Sequence, residues 1–383
     1  MTARTALIVG AGIGGLSAAI ALRNRGWQVR VFEQATSVRE LGFGLALAPN
    51  AMAALANLGI ADVVKARSYE PRRVDFRRPD GTLIKRLEMP ASSRGGPIRV
   101  ALRQALHGAL MEEIGTDAIQ LGRRAIAFTD HGDRVSVRFD DDTEVDGDVL
   151  VGADGAGSAV RRQLHPDEGP PRDSGITAVR GGVHGALHHL GDSEAVYYLG
   201  PGIESVFVRA SDTGMYWFLS LARTLVPPGL ADARAVVATL SSRFDATFRA
   251  ITAVTDDLRL DDLYDRDPLA NWGSGRVTLL GDAAHPMLPQ TGQGAAQAMM
   301  DAVYLAAQLA PGADVDSALR SYERERRPKT AALVAQGRRT ARVMATTNPV
   351  ACVLREWVLR AIPAKTFARW YVRINRRAGT HTP

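Results

Sequence analysis

Apolar positions along the chain fall into two kinds of run. Ala6-Leu7-Ile8-Val9, Val149-Leu150-Val151 and Val277-Thr278-Leu279-Leu280 are short and nearly unbroken, and each stops at a glycine. Runs of that length bounded by glycine predict buried strands. A small-residue stretch that reads as helix follows each one, the last being Ala295–Ala302. Gln28-Val29-Arg30-Val31-Phe32 predicts a further strand after the first helix. An amphipathic helix starts near Ile98, and Asn50 is placed to cap a helix over Ala51–Leu58.

The intervening pieces are strand-rich. Residues 72–89 predict a hairpin about Pro79-Asp80-Gly81. Ser174–Gly182, Ala195–Leu199, Glu204–Ala210 and Gly214–Ala222 predict four more strands, punctuated by Pro201-Gly202 and Asp212-Thr213-Gly214. Ala233–Arg243 reads as a helix packed on that sheet. Asp316–Arg377 reads as helices interrupted by Pro328, Pro349 and Pro363. Residues 1–70, 99–172 and 260–330 are expected to form one discontinuous domain, 71–98 and 173–259 a second, and 331–383 a helical C-terminal segment.

The glycine stops carry the chemistry. Gly10-Ala11-Gly12-Ile13-Gly14-Gly15 is Gly-x-Gly-x-x-Gly between a strand and a helix, and Glu33 ends the next strand about 20 residues on. Such a turn brings a pyrophosphate against bare backbone, and the acid suits ribose hydroxyls. A glutamate here argues against an extra 2′-phosphate. Gly281-Asp282-Ala283-Ala284-His285-Pro286 leads to Gly292-Gln293-Gly294 at a helix start. The acid suits a ribose or ribityl hydroxyl, and the glycines expose N–H groups at the positive end of a helix dipole. Gly152-Ala153-Asp154-Gly155 repeats the strand, acid–glycine turn and helix, with Ser158 and Arg161 on the first turns as candidates for phosphate.

Taken in order, these motifs resemble the single-component FAD-dependent aromatic hydroxylases, the p-hydroxybenzoate hydroxylase-like flavoprotein monooxygenases, from Thr5 to about Arg327. The shorter salicylate and 3-hydroxybenzoate hydroxylase-like types are the nearer likeness. The resemblance implies an α/β fold: a Rossmann-like FAD-binding domain, an inserted β-sheet substrate domain and C-terminal helices. It implies FAD, NAD(P)H and O2 acting on a phenolic or heteroaromatic small molecule through a flavin C4a-hydroperoxide. Epoxidation, or flavin oxidoreduction without aromatic hydroxylation, is the alternative.

Carried onto this sequence, the resemblance gives the adenosine and pyrophosphate half to Gly10, Gly12, Ile13, Gly14, Gly15, Glu33 and Gln34, with Ala125 touching the adenine. Gly44 and Leu45 fall near the flavin. Arg103 reaches the ribityl or pyrophosphate oxygens, and Asp154 belongs to a motif linked to both FAD and NADPH. Asp282 falls by the ribityl chain and phosphate, and Pro289, Gly292, Gln293, Gly294 and Ala295 line the isoalloxazine. Arg180, Arg209, Tyr216 and Phe218 are candidate substrate-pocket residues, the two arginines as a paired anchor for a carboxylate or phenolate. Alternation puts Tyr216 and Phe218 on one face and Trp217 on the other, so only one set can meet the flavin. His285 is expected to make a structural hydrogen bond.

Composition removes other classes. The single cysteine, Cys352, excludes an internal disulfide and a Cys-pair redox centre. His184, His188 and His189 do not read as a metal site. The formal charge of +6 comes from arginines spread along the chain, which argues for a basic surface rather than nucleic-acid binding. No apolar run is long enough to span a bilayer, and no targeting segment is read at the start, so a cytoplasmic enzyme is expected, as monomer or homodimer. Leu354–Arg360 and Phe367–Arg373 are basic and amphipathic. Packing back on the flavin domain is the favoured reading for them over a membrane-surface role.

Overall fold

In the computed structural model, which describes residues 3–37, 44–89, 98–230, 232–363 and 366, the first apolar run is strand β1 (Thr5–Val9), buried from Ala6 onward. Helix α1 (Ile13–Arg23), β2 (Gln28–Glu33), β3 (Leu45–Leu47), α2 (Pro49–Asn57), α3 (Ala61–Ala66) and β4 (Ser68–Tyr69) follow. The chain then makes a hairpin, β5 (Arg73–Arg77) and β6 (Leu83–Glu88). It returns through β7 (Arg99–Ala101), α4 (Arg103–Ile114), β8 (Ile119–Leu121), β9 (Ala125–Asp130), β10 (Val135–Phe139), β11 (Glu144–Gly147), β12 (Val149–Gly152) and α5 (Ala159–Leu164). A second excursion holds β13 (Arg172–His184), β14 (Ala195–Gly200), β15 (Ile203–Arg209), β16 (Gly214–Ala222), α6 (Ala233–Ser241), α7 (Ala246–Ala253) and β17 (Leu258–Asp265). The chain closes with β18 (Val277–Leu279), α8 (Gly294–Gln308), α9 (Val315–Met344) and α10 (Pro349–Ala361).

The three glycine-stopped runs share one parallel sheet, ordered β18-β12-β1-β2-β8, so all three stops lie at the same edge. Parallel strands covered on both faces have no solvent side, which is why their sequences do not alternate. A second sheet of seven strands runs β17-β13-β16-β15-β14-β5-β6. Together they form the expected α/β architecture, a Rossmann-like unit joined to a large β-sheet unit. Two small antiparallel sheets, β3-β7-β4 and β11-β10-β9, complete it.

The seven-stranded sheet has two unlike faces. Tyr198, Phe207 and Trp217 point to one side and pack on Phe244 and Phe248. Val206, Val208, Tyr216 and Phe218 point to the other and meet Val100 of β7. The second face looks toward the parallel-sheet unit.

Four expectations are corrected. Asn50 does not cap α2: the helix starts one residue earlier at Pro49, whose fixed φ suits a first turn, and Asn50 is buried inside it. Pro328 does not interrupt α9, which runs 30 residues through it. Tyr322, Arg326 and Arg338 anchor α9 to Leu279, Asp301 and Asp265, and these ties outweigh the roughly 3 kcal/mol that an internal proline costs. The boundary at 330/331 therefore falls inside one helix, and the boundary at 260 cuts β17, the edge strand of the seven-stranded sheet. Finally, α10 does not pack on the parallel-sheet unit. Leu359 packs with Ile84 and Leu199, Arg78 pairs with Glu356, and Val350, Val353, Leu354 and Trp357 stay exposed. The stretch Phe367–Arg373 lies outside the described residues. Among those described, no helix is long and apolar enough to cross a membrane.

Candidate active site

The glycine turn after β1 is closed by backbone. Gly15 sits so near Gly10 that a Cβ on it would lie 1.9 Å from the Gly10 carbonyl oxygen. Gly12 is the opposite case: it caps α1 in an extended conformation, with nothing within 4 Å of a Cβ built on it. Ile13 and Gly14 open the helix, which has no acid in its first turn and no side-chain cap. Glu33 ends β2 and accepts from the backbone N–H groups of Ala11 and Ala35, both at 2.9 Å. Its carboxylate thereby holds the turn, and Gln34 beside it is exposed. His107 of α4 reaches the Ala11 carbonyl at 2.7 Å. Ala125, the first residue of β9, pairs with Phe139, whose ring contacts Phe32.

Asp154 follows β12. Its Oδ2 accepts from Ala159 N at 2.7 Å, while Oδ1 is buried without a hydrogen-bond partner among the described residues. Burial raises this carboxyl above the usual range, against the hydrogen bonds that lower it. Ser158 and Arg161 do not face out as phosphate ligands. Ser158 caps α5 by accepting from Arg161 N. Arg161 is buried, paired with Glu168, and donates to the carbonyls of Ala283 and Ala284 at 2.8 and 3.0 Å. It thus braces the 281–294 loop from behind.

That loop is braced a second time. Asp301 of α8 accepts from Gly281 N, from His285 Nε2 at 2.6 Å and from Arg326 Nε at 2.6 Å. Arg326 also donates to Gln297 Oε1, Gln297 donates to Gln293 Oε1, and Asn50 Nδ2 donates to the same oxygen at 2.9 Å. One buried polar chain therefore joins His285, Asp301, Arg326, Gln297, Gln293 and Asn50. Asp301, Arg326 and Gln297 are not expected from the sequence, and Asn50 is expected as a helix cap. The available signal was the spacing of Gln293, Gln297 and Asp301 by four, one helix face carrying polar groups within an apolar helix. Asp282 is exposed, with one carboxylate oxygen 3.8 Å from where a Gly294 Cβ would stand, at the uncapped start of α8. Ala295 is half-buried on the first turn of α8, and Pro289 and Gly292 bracket the turn before it.

The seven-stranded sheet meets the segment leading into β3 through one contact in particular. Gly44, just before β3, abuts Tyr216 so closely that a Cβ on it would stand 2.3 Å from the ring. Leu45 pairs with Ala101 beside it. Phe218 lies next along the same face, opposite Arg180 on β13. Burial lowers the Arg180 guanidinium, as do Arg259 and Arg103, while Asp261 opposes them. Asp261 pairs with Arg259 at 2.8 Å and lies 3.9 Å from Arg180, so one carboxylate serves both guanidinium groups. Arg209 does not pair with Arg180 as expected. Its guanidinium lies over the Tyr69 ring at 4.1 Å and donates to Ser211 O and Asp212, because Arg209 ends its strand at the turn.

The FAD binding domain family matches residues 3–337. The chain belongs to the FAD binding domain family. It is 35% identical over 368 residues to the aurachin C monooxygenase/isomerase of Stigmatella aurantiaca, covering 94% of each chain. It is 32% identical over 378 residues to 3-hydroxybenzoate 6-hydroxylase 1 of Aquipseudomonas alcaligenes, covering 95% of each. Its fold matches that of Klebsiella pneumoniae HpxO complexed with FAD and uric acid, with a TM-score of 0.91, 26% identity, and 98% and 97% of the two chains covered. This family member is an FAD-dependent monooxygenase of the aromatic-hydroxylase type.

The donor set suits FAD. Two uncapped helix starts, at Ile13 and Gly294, present N–H groups to the same edge. Gly12 leaves open space on its side-chain side, and Asp154 holds an unsatisfied acceptor beside it in the sheet order. Among the described residues, no group of three or more His, Cys, Asp or Glu could hold a metal.

Proposed function

We propose that this flavoprotein hydroxylates a phenolic or heteroaromatic small molecule, using NAD(P)H and O2. The contact between Tyr216 and Gly44 supports the reading: the aromatic sheet face abuts the segment leading into β3, whose Ala46 lies 3.9 Å from where a Gly292 Cβ would stand in the 281–294 loop. Bound at that edge, FAD supplies the redox chemistry, accepting hydride from NAD(P)H and activating O2.

The chain's residues have four tasks in this reading. Gly10, Gly12, Ile13, Gly14 and Gly15 receive the pyrophosphate at the start of α1, with Glu33, Gln34 and Ala125 around the adenosine. Asp154, Asp282 and Arg103 hold the middle of the cofactor. Gly44, Leu45, Pro289, Gly292, Gln293, Gly294 and Ala295 flank the flavin ring, kept rigid by Arg161 and Asp301. Tyr216 and Phe218 form one wall for the substrate and exclude water from the reacting atoms, with Arg180 as the nearby cation.

The test is a panel of phenols and hydroxylated heteroaromatics added to the FAD-loaded enzyme. Ligand-stimulated NAD(P)H oxidation with a product heavier by one oxygen supports the reading. Failure of every aromatic ligand to stimulate oxidation contradicts it.

A further inference from the structure

On the sheet face that looks toward the 281–294 loop, β15 presents Val208, Val206 and then Glu204, and β16 presents Tyr216, Phe218 and then Ser220. Glu204 pairs across the strands with Ser220, whose hydroxyl accepts from Gln290 Nε2 at 3.4 Å. Glu204 is 7% exposed, and Oε2 is buried without a partner. Among the described residues, Gln290 Oε1 is buried without a partner as well. Among the described residues, two acceptors with no donor therefore belong to the neighbours of one serine at the far end of the aromatic wall.

A carboxyl enclosed this way is costly unless something hydrogen-bonds it. Among the described residues, none supplies that group. Arg355 of α10 is the charged residue facing it, but its guanidinium donates to the carbonyls of Gly200, Val343 and Met344. Leu199 on β14, Ser220 on β16 and Gln290 on the loop carry no charge. Burial pushes the Glu204 carboxyl up to about 7, with Arg355 opposing, so its charge changes within the working pH range.

We propose that Glu204, with Gln290 beside it, is a substrate-recognition subsite that accepts a hydrogen bond from an N–H or O–H group on the aromatic substrate, remote from the ring position that is oxidised. This rests on the hydroxylase reading above and narrows it. Substrates carrying a ring N–H, an amino group or a second hydroxyl fit the subsite, whereas a carboxylate placed there meets Glu204 with like charge. It is a specificity determinant and takes no part in oxygen transfer.

Three matched probes test it: 3-aminophenol, 3-(dimethylamino)phenol, which lacks the donor, and 3-hydroxybenzoate. Each is titrated into the FAD-loaded enzyme, with binding followed by the flavin absorbance spectrum. Wild type is expected to bind 3-aminophenol on the order of 10-fold or more tightly than the other two, as one charge-assisted hydrogen bond allows. Glu204→Leu removes that preference and leaves 3-(dimethylamino)phenol binding unchanged, and Glu204→Gln restores part of it. Wild-type affinity for 3-aminophenol rises from pH 6 to pH 8, and Glu204→Gln flattens the profile. Equal affinity of wild type for the three probes, no binding of 3-aminophenol, or a Glu204→Leu enzyme that still discriminates overturns the proposal. Binding is read without turnover, so this result stands apart from the fate of the hydroxylase reading.

Discussion

His285 and Asp301 meet at 2.6 Å in a site closed to solvent, and Arg326 takes the other oxygen of the same carboxylate at the same distance. Burial alone would raise the Asp301 carboxyl, but His285 and Arg326 hold it below the usual range. One ionised side chain thus fixes both ends of the loop, through Gly281 N and through the glutamine chain that ends at Asn50. The 281–294 loop is therefore positioned from its buried side.

Asp301→Asn leaves the guanidinium of Arg326 buried without its counter-ion. Breaking such a pair costs roughly 3–5 kcal/mol. Urea unfolding is expected to show a loss of that order, together with weaker FAD retention. An unchanged unfolding midpoint would mean the pair is not structural.

Variants at Gly12 and Gly15 are expected to separate cofactor binding from folding. Gly12→Ala meets no protein atom within 4 Å, so the apoprotein should unfold within about 0.5 kcal/mol of wild type while FAD affinity drops. Gly15→Ala drives a methyl into the Gly10 carbonyl oxygen and should destabilise the apoprotein itself by about 1–3 kcal/mol. Urea titration with and without FAD distinguishes the two. Equal behaviour of both variants contradicts the assignment of the open space at Gly12 to the cofactor.

Gly44→Val must displace either the Tyr216 ring or the chain before β3. The expected outcome is an FAD-loaded enzyme with ligand-stimulated kcat/KM reduced about 10–100-fold, as a misplaced wall next to reacting atoms allows. Steady-state kinetics beside a flavin-content measurement decides this, and wild-type kcat/KM in the variant would remove Tyr216 from the pocket wall.

Much of this architecture was legible because its demands are local. The turn at Gly10–Gly15 needs glycine for backbone reasons that act over a few residues, and the unbroken runs at β1, β12 and β18 follow from strands covered on both faces. What stayed hidden depends on partners far away in sequence. Arg161 reads as a phosphate ligand until Ala283 and Ala284, more than 120 residues on, claim its donors. Asn50 reads as a cap until Gln293 arrives beside it. Pro328 reads as a break because the residues that hold α9 straight through it, on β18 and α8, cannot be paired with it by pattern. Glu204 reads as one more strand position, since nothing in an alternating pattern shows that a buried carboxyl lacks a donor.

Stability should depend on pH through Glu204 with an unusual sign. Its folded value, about 7, lies above that of an unfolded glutamate, near 4.3. The folded state therefore holds a proton that the unfolded state has lost, and stability falls as pH rises from about 4.5 to 7, by up to about 3 kcal/mol. Asp301 acts the other way: its stabilisation is present above the unfolded value and is lost only as pH falls through the depressed folded one. Comparing urea midpoints of wild type and Glu204→Gln at pH 5 and pH 8 isolates the first effect. The variant should gain relative stability at pH 8, and an identical pH dependence would contradict burial of an unpaired carboxyl.

We propose that this FAD-dependent enzyme transfers one atom of O2 to an aromatic ring bound between Tyr216 and the flavin. Turnover of a stimulating phenol with NAD(P)H under isotopically labelled O2, followed by mass spectrometry, measures this directly. One labelled oxygen in the product and none from labelled water is the expected result. NAD(P)H consumption that releases all of the label as hydrogen peroxide, with the aromatic ligand recovered unchanged across the panel, would contradict it.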